Sequence, residues 1–210
     1  MAFKISETME MLSVGHDMED LKQTCKINNI MGLNEKSNQR KYLGDRMEVL
    51  PENTVLNKGL TGCGATTLAI RQKRDTIIAV PFTALIVNKT EQNENRDVLL
   101  GLYGESDNFK SELVSYMESH VMVKIMTTYD SLPKVCSTLM ELGYDPYGRA
   151  QLVIDEWHLL LMSYAFRGDA IRGVLNEAKQ FRNVTYISAT PVEERFWFPE
   201  MRGLRKMEIE

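Results

Sequence analysis

Lys58-Gly59-Leu60-Thr61-Gly62-Cys63-Gly64-Ala65-Thr66-Thr67 follows the short run Thr54-Val55-Leu56-Asn57 and leads into Leu68-Ala69-Ile70. This succession of strand, glycine-rich loop and helix decides how the rest of the chain is read. Glycines let the backbone curl until successive N–H groups converge on phosphate oxygens, while the following helix directs its positive dipole end at the same charge. The stretch matches the pattern GxxxxGK[ST] at Gly59, Gly64 and Thr66, and departs from it at Ala65, where the pattern has lysine. Lys58, Gly59, Thr61, Gly62, Cys63, Gly64, Ala65, Thr66 and Thr67 are therefore the candidate phosphate-binding residues, with the Thr66 hydroxyl placed to ligate Mg²⁺. The absent lysine would have set a cation against the outer phosphates. Three readings stay open: a nearby cation substitutes, with Lys58 nearest in sequence; the loop binds nucleotide but hydrolyses it poorly; or it is only a glycine-rich turn.

Outward from this loop, short apolar runs alternate with amphipathic segments, the pattern of a parallel sheet with crossover helices. The strands expected are Thr54–Asn57, Thr76–Val80, Val98–Tyr103, Val121–Thr127, Gln151–Asp155, Val184–Ser188 and Leu204–Ile209. Helices are expected over Thr66–Lys73, Phe82–Gln92, Phe109–Glu118, Ser131–Leu142 and Asp169–Phe181, with a loop around Gly143, Pro146 and Gly148. Several of the strand runs are apolar throughout, as strands covered on both faces are. Residues 1–50 carry Met18, Leu21 and Cys25 at helical spacing and read as a short helical extension, which leaves 51–210 as one α/β domain.

Gln151-Leu152-Val153-Ile154-Asp155-Glu156-Trp157-His158 places two carboxylates where an apolar strand leaves the sheet, the edge at which ligand sites of open parallel sheets lie. There Asp155 is placed to support Mg²⁺ and Glu156 to activate a water, with His158 coupling them to neighbouring loops. Taken by itself, the segment also reads as an apolar strand followed by a solvated acidic turn.

In sequence order, Gly59–Thr67, Pro81-Phe82-Thr83-Ala84-Leu85, Met126-Thr127-Thr128-Tyr129-Asp130-Ser131-Leu132, Asp155-Glu156-Trp157-His158 and Ser188-Ala189-Thr190-Pro191 resemble motifs I, Ia, Ib/Ic, II and III of superfamily 2 DEAD/DEAH-type helicases. The resemblance spans about Thr54 to the C-terminus. It implies a three-layer α/β/α P-loop (RecA-like) domain with a mostly parallel sheet, the first motor lobe of a nucleic-acid-dependent ATPase with ATP and Mg²⁺ as ligands. It further implies that Pro81, Phe82, Thr83, Thr127, Thr128 and Tyr129 contact the backbone of a single nucleic-acid strand, DNA in preference to RNA. Ser188, Ala189 and Thr190 would couple that surface to the nucleotide. A second RecA-like lobe, in a longer polypeptide or a partner chain, would complete the site, since 210 residues do not hold two motor domains. The alternative is a catalytically degenerate nucleotide- or nucleic-acid-binding module with a regulatory or scaffold role.

Composition sets outer bounds. With 43% hydrophobic and 26% charged residues the chain has ordinary globular composition, and its net charge of −4 is unlike that of a basic nucleic-acid coat. Met1–Met11 lack the basic start and apolar stretch of a secretory signal, no apolar run reaches a membrane-spanning length, and a cytoplasmic location is expected. Cys25, Cys63 and Cys136 have neither paired metal-ligand spacing nor the even number of a disulfide framework. His16 and His120 read as surface or capping groups. Phe196, Trp197 and Phe198 read as packing for the last helix against the sheet.

Overall fold

Seven segments extend side by side: Thr54–Asn57 (β1), Thr76–Val80 (β2), Leu100–Leu102 (β3), Lys124–Thr128 (β4), Gln151–Asp155 (β5), Asn183–Ser188 (β6) and Arg205–Glu208 (β7). In the computed structural model, which describes residues 42–104 and 108–209, they form one sheet in the order β3-β4-β2-β5-β6-β1-β7. Every pairing in it is parallel. Parallel neighbours require crossovers, and these are supplied by Ala65–Arg71 (α1), Thr83–Thr90 (α2), Phe109–Ser119 (α3), Leu132–Glu141 (α4), Pro146–Arg149 (α5) and His158–Ala178 (α6).

Successive strand residues point to opposite faces, and the sequence fills both with apolar groups. In β2, Ile77 and Ala79 pack with Leu113 of α3, Val135 of α4 and Val174 of α6. Ile78 and Val80 pack on the other face with Leu68 and Ile70 of α1 and Ile86 of α2. The result is the α/β/α layering expected from the sequence. Full burial of each large aliphatic side chain contributes about 1.5–3 kcal/mol. These central strands are thus the rigid part of the domain on which the loops are mounted.

At the opposite edge of the sheet, where the strands begin, polar side chains are buried and paired. Lys124, 2% exposed, donates to the carbonyls of Gln72 (2.6 Å), Arg74 (2.6 Å) and Ala69 (3.4 Å) and to Thr76 Oγ1 (3.1 Å). It thereby caps the C-terminal end of α1, where the helix dipole favours a cation. Gln151 accepts from Gln72 Nε2 at 2.9 Å and donates to Thr185 Oγ1 at 2.7 Å, joining β5, β6 and the residue after α1.

The expected bounds of β1, β2 and β5 agree residue for residue with those observed. The last helix differs most. It begins at His158 rather than Asp169, directly after the acidic pair, and Arg167 interrupts it with non-helical angles (φ −132°, ψ 33°). The stretch read as loop contains α5, with proline in its first turn and the Asp145 carboxylate accepting from the N–H groups of Tyr147 and Gly148. Residues 1–41, over which most of the helical extension was expected, lie outside the described residues. Between Tyr42 and Leu50 the one helical element is the 3₁₀ turn Leu43–Asp45, and Leu43 and Leu50 are buried against α1 and the sheet. Phe196, Trp197 and Phe198 do pack as expected: Trp197 meets Trp157 edge to face at 6.3 Å. His120 stacks on Tyr116 after the end of α3. Among the described residues no helix is long and apolar enough to cross a membrane.

Candidate functional site

β1 ends at Asn57, and the chain turns through Gly59, Gly62 and Gly64, all with positive φ, before α1 begins. Two of these glycines are required by the geometry. A Cβ on Gly59 would stand 2.7 Å from the Ile209 carbonyl oxygen, and Gly64 holds φ 83° at the N-cap of α1. The curl is closed by Asn57 Oδ1 accepting from the Gly59 N–H at 3.1 Å and by the Leu60 N–H donating to the Lys58 carbonyl at 2.7 Å. The preceding segment docks on it, because the Leu43 N–H donates to the Cys63 carbonyl at 2.7 Å and Tyr42 lies beside Gly64.

β5 lies two strands from β1, with β6 between them. Despite that separation, side chains from the loop and from the end of β5 meet. The Thr66 hydroxyl donates to Asp155 Oδ2 at 2.6 Å, and the Lys58 ammonium donates to Asp155 Oδ1 at 3.2 Å and to Glu156 Oε1 at 2.7 Å. One carboxylate is thus held from the helix side and from the strand side of the loop. Burial alone would push the Lys58 ammonium pKa down, but Asp155 and Glu156 together outweigh it and hold it above the ordinary lysine value.

Glu156 adopts φ 53°, left-handed backbone that a non-glycine residue rarely takes. Such strain persists where surrounding bonds fix the conformation, and it clusters at functional positions. Here the Glu156 N–H donates to Asp155 Oδ1 at 3.0 Å, the Trp157 N–H donates to the Ile187 carbonyl at 3.1 Å, and the Tyr129 hydroxyl donates to the Asp155 carbonyl at 2.5 Å. His158 Nδ1 lies 3.4 Å from Glu156 Oε2 and shares a hydrogen bond of 2.9 Å with the Ser188 hydroxyl. Burial lowers the His158 pKa, with Lys58 acting in the same direction and Glu156 and Asp155 opposing. Ser188 Oγ in turn accepts from the Thr190 N–H at 2.9 Å, and the Lys58 N–H donates to the Ser188 carbonyl at 2.8 Å.

The loop opens into a cleft of about 910 Å³, lined by Lys58, Gly62, Gly64 and Thr66 together with Tyr42 and Asp45. The oxygens of Thr66 and Asp155 form a hard-ligand pair of the kind Mg²⁺ takes while keeping waters or phosphate oxygens in its remaining positions. Among the described residues no cluster of three or more His, Cys, Asp or Glu side chains would hold a metal unaided. A hydroxyl and a carboxylate at hydrogen-bonding distance fit a metal that arrives with phosphates.

The structure brings Lys58, Thr66, Asp155, Glu156, His158 and Ser188 into one constellation. It divides the residues that were expected to contact a strand. Phe82, 55% exposed, and Thr83 are at the surface, whereas Pro81, Thr127, Thr128 and Tyr129 are buried. Thr128 Oγ1 donates to Ser131 Oγ at 3.0 Å, and the Tyr129 hydroxyl is committed to Asp155. Tyr129 is thereby a brace for the acidic pair, a role the sequence did not signal. The docking of Tyr42 and Leu43 on the loop was also missed, since nothing in their spacing announces it.

No protein-family model matches the sequence, and no curated protein matches it. Among solved structures, this chain is similar to the crystal structure of the Pyrococcus furiosus Hef helicase domain, at 17% identity and a TM-score of 0.42. The match covers 74% of this chain and 34% of that one, so the chain aligns with about a third of its length.

Proposed function

We propose that the chain is a Mg²⁺-nucleoside-triphosphate-binding module of helicase type, the first lobe of a nucleic-acid-dependent ATPase. The observation that carries this reading is the double grip on Asp155, by Thr66 from the loop and Lys58 from the strand end. It brings a phosphate-cradling loop and an acidic strand end to the same rim of one parallel sheet, where ligands of such sheets bind. In this reading the amides around Gly62 and Gly64 and the N-terminus of α1 cradle the phosphates. Thr66 and Asp155 hold Mg²⁺, which neutralises charge on the phosphoryl oxygens. Glu156 orients the attacking water and receives its proton. His158 and Ser188 link Glu156 to Thr190, and Phe82 and Thr83 offer a surface to a single strand of nucleic acid. A second lobe would complete the catalytic arrangement.

Ala65 favours a second reading, in which nucleotide binds without turnover and the module regulates or scaffolds an assembly. Calorimetric titration with Mg²⁺ and a non-hydrolysable ATP analogue tests what the two readings share. Binding is expected in the wild type and at least tenfold weaker in Asp155→Ala; no binding at millimolar ligand would reject both. Turnover stimulated by single-stranded DNA and abolished by Glu156→Gln selects the first, and binding without turnover, with any partner lobe supplied, selects the second.

A further inference from the structure

Position 65 holds a methyl group that is 3% exposed and packed with Leu43, Leu68 and Ile187. A lysine there would begin its side chain inside an apolar cluster. A cation does nonetheless reach the site from the other end of the loop. Lys58 stands seven residues earlier, at the exit of β1, and is 6% exposed although it carries a full charge. A buried ammonium needs ionic partners, and Lys58 has two, both of them residues assigned above to metal support and water activation. It lines the same cleft as Gly62, Gly64 and Thr66, and its main chain is fixed by the N–H bond to the Ser188 carbonyl.

We propose that Lys58 supplies the phosphate-binding cation of this site, reaching the outer phosphates from the strand side of the loop in place of the lysine missing from position 65. The inference rests on the nucleotide-binding reading and adds to it a regulatory consequence. Without ligand, the Lys58 ammonium is spent on Glu156, 2.7 Å away, and a carboxylate oxygen engaged in this way is not free to accept from and orient a water. A triphosphate presents a denser negative charge and draws the ammonium from Glu156 toward itself. The same movement frees the Glu156 carboxylate. Glu156 is thus unmasked only when a triphosphate is seated, which couples occupancy to competence through a single side chain. Other cations line the cleft: Arg71 pairs with Glu94, Lys89 donates to Thr67 Oγ1 at 3.3 Å, one residue past the hydroxyl that meets Asp155, and Lys73 is exposed at its wall.

The test compares binding of Mg²⁺ with a non-hydrolysable ATP analogue, and of AMP, by calorimetry or competition. Lys58→Met leaves two adjacent carboxylates without a counter-ion, so the decisive comparison is made in the Glu156→Gln background. Glu156→Gln alone is expected to bind the triphosphate at least as tightly as the wild type, because the competitor for Lys58 is gone. Adding Lys58→Met should weaken the triphosphate tenfold or more while moving AMP by less than twofold, and Lys89→Met should leave both within twofold. Triphosphate binding unaffected by Lys58→Met, an equal loss for triphosphate and AMP, or a tenfold loss on Lys89→Met instead would each overturn the assignment while leaving the nucleotide-binding reading intact. A wild type that binds no triphosphate would overturn that reading first, and this inference with it.

Discussion

Replacing Lys124 with methionine tests whether the helix that carries the phosphate loop is anchored by a buried charge at its far end. The ammonium donates to two carbonyls at 2.6 Å, from Gln72 and Arg74, and more weakly to Ala69 and Thr76. Methionine fills the volume but leaves those carbonyls unsatisfied, at about 1–3 kcal/mol for each of the two short bonds. Relief of the buried charge offsets part of this loss: burial lowers the Lys124 pKa from 10.5 to about 8, with Asp75 opposing and Arg74 assisting the shift, equivalent to about 3 kcal/mol. The balance at pH 7 is a loss of about 1 kcal/mol, or roughly 2–4 °C in Tm for a chain of this size. The pH dependence has a definite sign. The folded pKa lies below the unfolded one, so the unfolded state binds more protons between them, and the wild type gains stability as pH rises through 8. Urea denaturation followed by circular dichroism at pH 7.5 and pH 9 should show the gap between wild type and Lys124→Met widening by about 1 kcal/mol. Taking the difference cancels the opposing titration of Cys136, whose thiol burial pushes up. A gap that stays constant or narrows would refute the anchoring role.

Gly59→Ala should destabilise the domain by about 1–3 kcal/mol, because the new methyl meets the Ile209 carbonyl oxygen at 2.7 Å and the residue keeps φ 67°; a melt within 1 °C of wild type would show that the loop relaxes freely. Ser188→Ala removes the hydroxyl shared by His158 and Thr190. Binding of the Mg²⁺-triphosphate should stay within about threefold, since no phosphate or metal contact is lost, while stimulation of turnover by single-stranded DNA falls about tenfold. Stimulation equal to wild type would place coupling elsewhere.

The central strands were legible because burial on both faces favours aliphatic residues: Thr76–Val80 and Gln151–Asp155 hold the uninterrupted aliphatic stretches 77–80 and 152–154, with polar residues at their ends and Pro81 closing the first. The start of α6 was hidden for the opposite reason. Its first turns carry Leu159, Leu160, Leu161 and Met162 in succession, an apolar run without a polar face, and the break at Arg167 spoils the 3.6-residue period before a window can register it. At the candidate site, the loop and the acidic pair were each readable from local pattern, and their order along the chain implied a shared rim. The specific partners were not readable. That Lys58 spans to residues 155 and 156 depends on which strand lies between them, which is a property of topology. Lys124 was unreadable in a related way, since a lysine opening a strand looks solvent-facing until the neighbouring helix end is seen to close over it. Tyr129, taken for a surface contact, illustrates the same limit: strand alternation does not reveal that a hydroxyl will find a carbonyl two strands away.

The placement of β6 between β1 and β5 has a mechanical consequence. Neighbouring parallel strands keep a spacing of about 4.8 Å, so this strand works as a shim that sets the gap bridged by the lysine. Its last residues touch both banks, one carbonyl taking the Lys58 N–H and the next one back taking the Trp157 N–H. Ile187 and Ser188 therefore tie the main chain of the cation to that of the residue following Glu156 through two consecutive carbonyls.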